Sequence, residues 1–305
     1  MKPSRFFPQV ELLLRSLPHV AAERCFALKG GTAINFFVRD MPRLSVDIDL
    51  VYLPILPREA SLREISDALQ RLARGIQRAL TNIDIHEVRL QDSDHVIRLI
   101  VRQQDAQIKI EPNLVIRGTV FPSDTRDLVS AVEEMFELAV STTVLSIADL
   151  YAGKICAALD RQHPRDLFDV KLLLDDGPIY NDVRRAFVIY LASHRRPMSE
   201  LLDPIFKDVR LLFEEELVGL THETVAYDQL VDTRQELVDT IRSGLTSNER
   251  QFLISVQSGT PQWELMELSD IDKLPALQWK IVNVRKMDKR KLAESVQKLR
   301  GPLGC

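Results

Sequence analysis

Apolar and polar positions follow two different periods along the chain, and the change from one to the other divides it. Over 46–50, Val46, Ile48 and Leu50 alternate with Asp47 and Asp49. That period of two predicts a strand with its apolar side chains on one face and both carboxylates on the other. Similar patterns predict strands over 83–90, 95–102 and 107–115, and a short strand over 24–28 that leads into Gly30 and Gly31. Among these segments, Leu62, Ile65, Leu69, Leu72, Ile76 and Leu80 recur every three or four residues. This is the stripe of an amphipathic helix over 61–80, expected to cover the sheet face opposite the carboxylates. Residues 8–24 predict a first helix interrupted near Pro18, and 116–145 read as turns and an apolar connector.

Beyond residue 145 the period is helical. Ser146 and Asp149 have the spacing of a capping box, and the helix so started packs through Leu150, Ile155, Ala158 and Leu159. Lys154, Ala158 and Arg161 fall on one side of it, at steps of four and three. Pro164, a favoured first-turn residue, opens a second helix that closes before Gly177 and Pro178, and on it Asp166 and Asp169 share a face. Further helices follow from Asn181, one of them starting at Thr246 or Ser247. The expected fold is therefore α+β, a mixed-sheet lobe over 1–145 followed by a helical half over 146–305.

Composition narrows the function. A net charge of −4 over 305 residues argues against a protein that coats nucleic acid indiscriminately, while leaving room for a local basic surface. Residues 211–240 hold eight acids against one arginine, which reads as a solvated face. Residues 280–300 hold eight basic residues against two acidic ones. The default for that run is a solubilising helix. Its alternative is a contact to an RNA backbone; without interleaved aromatics the run gives no sign of base stacking. No apolar run approaches the length of a membrane span, and prolines and charges interrupt the apolar core that a signal peptide needs, so a cytoplasmic protein is expected. Cys25, Cys156 and Cys305 are widely spaced and odd in number, which fits neither a disulfide framework nor a zinc ribbon, and the six histidines form no ligand pair.

The chemistry concentrates between residues 28 and 53. Gly30 and Gly31 lie where a strand turns into a short helix, so their N–H groups can approach a phosphate, and Thr32 can add a hydroxyl donor. Asp47 and Asp49 side by side repel each other unless a cation lies between them. Mg2+ carried by a nucleoside triphosphate suits that place, because it takes a few carboxylate oxygens from the protein and keeps phosphate and water. Glu111 alternates with Ile108 and Ile110 and is the candidate third carboxylate, on a strand that Pro112 ends or leaves at an edge. A third acid would allow two metal ions to be held and give an attacking hydroxyl a place to lose its proton.

The run LKGGTAINFFVRDMPRLSVDIDLVYL, with DLYAGKICAALDR and PRDLFDV further on, resembles the AbiEii/AbiGii toxin family of nucleotidyltransferases, in the polymerase-β-like superfamily. The LPALQWK segment resembles the C-terminal pattern of that family. The resemblance implies an enzyme that moves a nucleoside monophosphate from a nucleoside triphosphate to an acceptor hydroxyl, with the tRNA 3′ end as the leading acceptor. It further implies a toxin paired with an antitoxin encoded nearby, which limits growth or aborts phage infection. Together with the reading of the residues, it puts the triphosphate on Gly30, Gly31, Thr32 and Lys154, with Arg165 and Asp169 beside it, and the metal on Asp47 and Asp49, joined by Glu111 from the strand alternation. Asp166 or Asp169 would orient Lys154 or assist the acceptor, the helical half contributing these groups to the cleft. Two rival readings are a transferase acting on a small molecule, such as an antibiotic, and a nucleotide- or partner-binding module on a retired fold.

Overall fold

In the computed structural model, which describes residues 5–305, the period-two segments pair into one mixed sheet. Its strands are β1 (Phe26–Lys29), β2 (Ile48–Tyr52), β3 (Ile83–Arg89), β4 (Val96–Gln103), β5 (Ala106–Asn113), β6 (Asp124–Asp127) and β7 (Ser141–Val144), in the order β3-β4-β5-β2-β1-β7-β6. β2, the aspartate strand, lies centrally, antiparallel to β1 and parallel to β5. Ile48 and Leu50 of β2, Leu99 and Val101 of β4, and Ile108 and Ile110 of β5 are all buried. Each contributes about 1.5–3 kcal/mol when removed from water. The helices α1 (Phe7–Ala21) and α3 (Arg58–Ala79) pack on the sheet against β5, β7, β3 and β4. Asp49, Lys109 and Glu111, on the alternate positions, remain half-buried or exposed. Two short helices complete this part, α2 (Gly30–Phe37) and α4 (Ser130–Phe136).

Three local expectations need correction. α1 runs through Pro18 without a break. The proline stands in the last turn, so it costs one backbone hydrogen bond while Leu12, Leu13, Leu17 and Val20 stay buried. β5 does not stop at Pro112: it continues to Asn113 through its pairing with β2, while its pairing with β4 ends at Ile110, so Pro112 stands where one neighbour has been lost. Residues 116–145 hold more than turns, because β7 joins β1 in parallel and β6 pairs with β7.

The remaining helices are α5 (Ile147–Arg161), α6 (Pro164–Asp175), α7 (Asn181–Ser193), α8 (Met198–Leu202), α9 (Arg210–Glu216), α10 (Tyr227–Gly244), α11 (Ser247–Gln257), α12 (Pro275–Arg285) and α13 (Lys289–Leu303). Two of their starts follow from sequence. Pro164 stands in the first turn of α6, and Thr246 and Glu249 satisfy each other's backbone N–H groups at the head of α11. α5 packs against α6 and α7, the latter through Tyr190, which meets Asp149 and Gly153. Among the described residues no helix is long and apolar enough to cross a membrane.

The chain divides into two compact units. One holds the sheet, from the N-terminal part through Ser146, together with Val218–Thr224; the other is Ile147–Leu217 with Val225–Cys305. The short return of 218–224 to the sheet unit is specific: His222 N–H donates to the Pro42 carbonyl and Leu44 N–H to the Leu220 carbonyl, both at 2.8 Å, around an antiparallel bridge between Arg43 and Thr221.

Candidate active site

The strand-to-helix turn needs its glycines for two separate reasons. Gly30 has φ +73°, a left-handed conformation that favours glycine, and a Cβ there would lie 2.6 Å from Asp49 Oδ2. The Asp49 carboxylate therefore rests against the backbone of the turn. A Cβ on Gly31 would meet the Arg43 guanidinium and stand 3.1 Å from Ser45 Oγ. The turn is thus shaped around an acid on one glycine and an arginine on the other. The N–H groups of the first turn of α2 have no intrahelical partners by construction, which leaves them suited to an anion.

Thr32 is buried, with its hydroxyl 2.6 Å from the Asp47 carbonyl, to which it donates, and 2.9 Å from Ser45 Oγ. It ties the first turn of α2 to the segment that carries Asp47. Arg43 is buried in that same segment, its Nη1 donating to the Leu44 carbonyl at 2.9 Å. Residues 43–47 have no regular secondary structure beyond one bridge pair, so Thr32, Arg43 and the return of 218–224 are what fix them.

The carboxylates lie in a row set by strand register. Asp49 on β2 is opposite Glu111 on β5 and, on its other side, opposite Lys29 on β1. In-register neighbours share a face about 5 Å apart. Glu111 in turn accepts from Arg98 Nη2 of β4 at 2.6 Å. Four adjacent strands thus present arginine, glutamate, aspartate and lysine in line, with Asp47 two residues before Asp49. Two aspartates offering hard oxygen donors suit a divalent cation that completes its shell with phosphate and water. Among the described residues no group of three His, Cys, Asp or Glu side chains is gathered for an ion, and Glu111 is engaged by Arg98. The third carboxylate is held by a guanidinium, which has to yield before Glu111 can serve as a ligand.

The second charged centre belongs to the helical unit. Lys154 Nζ on α5 lies 2.8 Å from Asp166 Oδ1 and 2.9 Å from Asp169 Oδ2 on α6, and all three are buried. The steps read from sequence explain the meeting: Asp166 and Asp169 share a face, and Lys154 and Arg161 share another. Arg161 also reaches Asp166, its Nη2 at 3.0 Å from Oδ1. Burial pushes the Asp166 carboxyl up, but the Lys154 ammonium and the Arg161 guanidinium more than reverse this and hold it well below the ordinary carboxylate range. Arg165 contacts Glu216, at 3.1 Å. Asp149 accepts from the Tyr190 hydroxyl at 3.0 Å, and that phenol is raised well above its usual value by burial and by the aspartate.

The structure thus gathers Gly30, Gly31, Thr32, Asp49 and the Asp47 backbone in one place, with Glu111 beside Asp49, and it gathers Lys154, Asp166 and Asp169 in another. Sequence reasoning missed Lys29, Arg43, Ser45 and Arg98, and placed Arg161 beside Lys154 without giving it a role in the site. A signal existed for two of them, because the alternation that marks Asp47 and Asp49 extends upstream through Ser45 to Arg43. Arg98 and Lys29 are found only from the register of their strands.

A family model described as Nucleotidyl transferase AbiEii toxin, Type IV TA system, matches residues 11–281. Among solved structures the chain is similar to MenT4, a nucleotidyltransferase toxin from Mycobacterium tuberculosis H37Rv. The identity is 13% and the TM-score 0.59, over 95% of this chain and 92% of that one, a likeness of fold. No curated protein matches the sequence.

Proposed function

The chain belongs to the AbiEii family of nucleotidyltransferase toxins of type IV toxin–antitoxin systems, and on that premise we propose that it transfers a nucleoside monophosphate from a nucleoside triphosphate to an RNA 3′ hydroxyl, with tRNA as the acceptor and Mg2+ as the metal. The observation that carries the reading is the row in which Asp49 meets Glu111 in register while its carboxylate rests on Gly30. A phosphate on the first turn of α2 would lie beside the acids that hold its counter-ion, which is what in-line transfer requires.

The acceptor oxygen attacks the α-phosphorus, a new P–O bond forms, the bond to the bridging oxygen breaks and pyrophosphate leaves. Asp47 and Asp49 would hold the metal, which when bound would neutralise charge on the phosphate oxygens. Thr32, through the Asp47 carbonyl, and Arg43, against Gly31, keep the glycine turn and the segment before β2 in place. Glu111 accepts the proton of the attacking hydroxyl once Arg98 releases it. Lys154 is the cation that family resemblance assigns to the triphosphate, with Asp166 and Asp169 as its positioning residues and Arg165 nearby. Growth arrest, including arrest that limits phage spread, would follow from acceptors blocked at their 3′ ends, and the cognate antitoxin would relieve it.

The test is incubation of the purified protein with total tRNA and each α-labelled triphosphate in turn. Label is expected in tRNA, dependent on divalent ion. Transfer only to small alcohols or antibiotics would replace RNA as the acceptor, and bound triphosphate with no transfer to any acceptor would point to a retired site.

A further inference from the structure

Trp279 on α12 is 53% exposed. It borders a groove of about 640 Å3 within the helical unit, walled by α12, α13 and the 195–200 segment. Three exposed cations, Arg195, Lys291 and Lys298, share the groove with it. Lys291 and Lys298 are seven residues apart on α13, two turns, and so project from one face. A fourth cation, Lys280, is engaged inside: its Nζ donates to the carbonyls of His194 at 2.8 Å and Arg196 at 3.2 Å, and burial lowers its pKa. The two acids in the walls already have partners, Glu200 with Arg196 at 2.9 Å and Glu294 with Arg290 at 3.0 Å. What faces the ligand is a flat indole, an excess of positive charge and a few hydrogen-bonding side chains such as Asn283 and Ser199.

We propose that this groove binds single-stranded RNA, with one base stacked on Trp279 and the adjoining phosphates on Lys291, Lys298 and Arg195. Stacking on an aromatic face beside lysine and arginine is the usual way of holding an unpaired strand without reading its sequence. An acidic helical peptide fits less well, because it needs a row of apolar sockets at helical spacing, and the exposed apolar lining here is Trp279 on α12 and Met287 just past its end, with Pro197 from a separate segment. The basic run of 280–300 has no aromatic of its own; folding supplies one from the residue just before it. The family match ends at residue 281, so α13 with both lysines lies beyond it. The inference deepens the reading of RNA as acceptor and rests on it for the groove's purpose, while the contact itself needs neither triphosphate nor metal ion.

Intrinsic fluorescence tests it in the full chain, which has two tryptophans, the other being Trp263, packed on Phe252. Titration with a short mixed-sequence oligoribonucleotide, without triphosphate or divalent ion, is expected to give saturable quenching that Trp263→Phe retains. In K291E/K298E, where both tryptophans remain to report folding, the midpoint is expected to rise at least about tenfold. Anisotropy of dye-labelled RNA is expected to weaken about as much in Trp279→Ala. Two or three phosphate contacts at about −0.7 each give a log–log salt slope between about −1.4 and −2.1. Absence of quenching, a midpoint indifferent to the charge reversal, or a polyglutamate peptide that binds better than RNA would overturn the proposal, the last in favour of a protein partner. Label transfer to tRNA without quenching removes the groove alone; quenching without transfer removes the active-site reading alone.

Discussion

Asp49 and Gly30 constrain each other: the carboxylate occupies the space of a Cβ, and the left-handed turn needs a residue without one. Gly30→Ala is expected to cost about 1–2 kcal/mol from backbone conformation. In rate it is expected to cost about a hundredfold, or about 2.7 kcal/mol, because the acid is displaced. Urea unfolding and turnover measured on one preparation separate the two. Lys154 and Asp166 give a stability test. Removing one partner of a buried ion pair leaves a stranded charge, so Lys154→Met is expected to lose about 3–5 kcal/mol, and the double variant with Asp166→Asn less than the sum of the two singles. Since the folded state depresses the Asp166 pKa, its stabilisation is complete above about pH 4, the ordinary aspartate value, and is lost as pH falls through the folded value. Asp166→Asn should therefore flatten the acid limb of the stability profile. At this scale the sequence was informative where spacing fixes a face within an element: Asp49 with Glu111, and the Asp166 and Asp169 pair; Asp47, expected on the same strand face as Asp49, lies just before β2 in a segment without regular structure. It was silent on Arg98, whose contact with Glu111 depends on the pairing of two strands.

Elements explain what single residues cannot. The segment before β2 carries Arg43, Ser45 and Asp47 without regular structure of its own, and the chain returns at 218–224, far along the sequence, to pair with it. His222→Pro removes the donor to Pro42 and is expected to cost about 1–2 kcal/mol with a rate loss of about tenfold or more. His222→Ala, which keeps the backbone N–H on an exposed residue, should leave the rate unchanged. No periodicity announces such a pairing, because three residues carry no pattern and their partner is remote. β6 and β7 escaped for a related reason. DTRD and STTV are four-residue strands with no apolar alternation, and only their neighbours make them strands. Long amphipathic stretches such as α3, and capped starts such as α11, were legible because burial and capping are local signals.

The whole chain is mildly acidic, at −4, so its contacts with nucleic acid depend on where the cations are placed and not on total charge. A triphosphate with Mg2+ that binds only the folded state should raise unfolding stability by about 2.7 kcal/mol at a hundredfold excess over its Kd. Chelation, or Asp49→Asn, should abolish that gain. The most direct test of the account is transfer of label from an α-labelled triphosphate to an RNA 3′ end by wild type and by Asp49→Asn, with folding matched by thermal unfolding. The account predicts transfer by the wild type and background in the variant; a folded Asp49→Asn that still transfers label at the wild-type rate would contradict it.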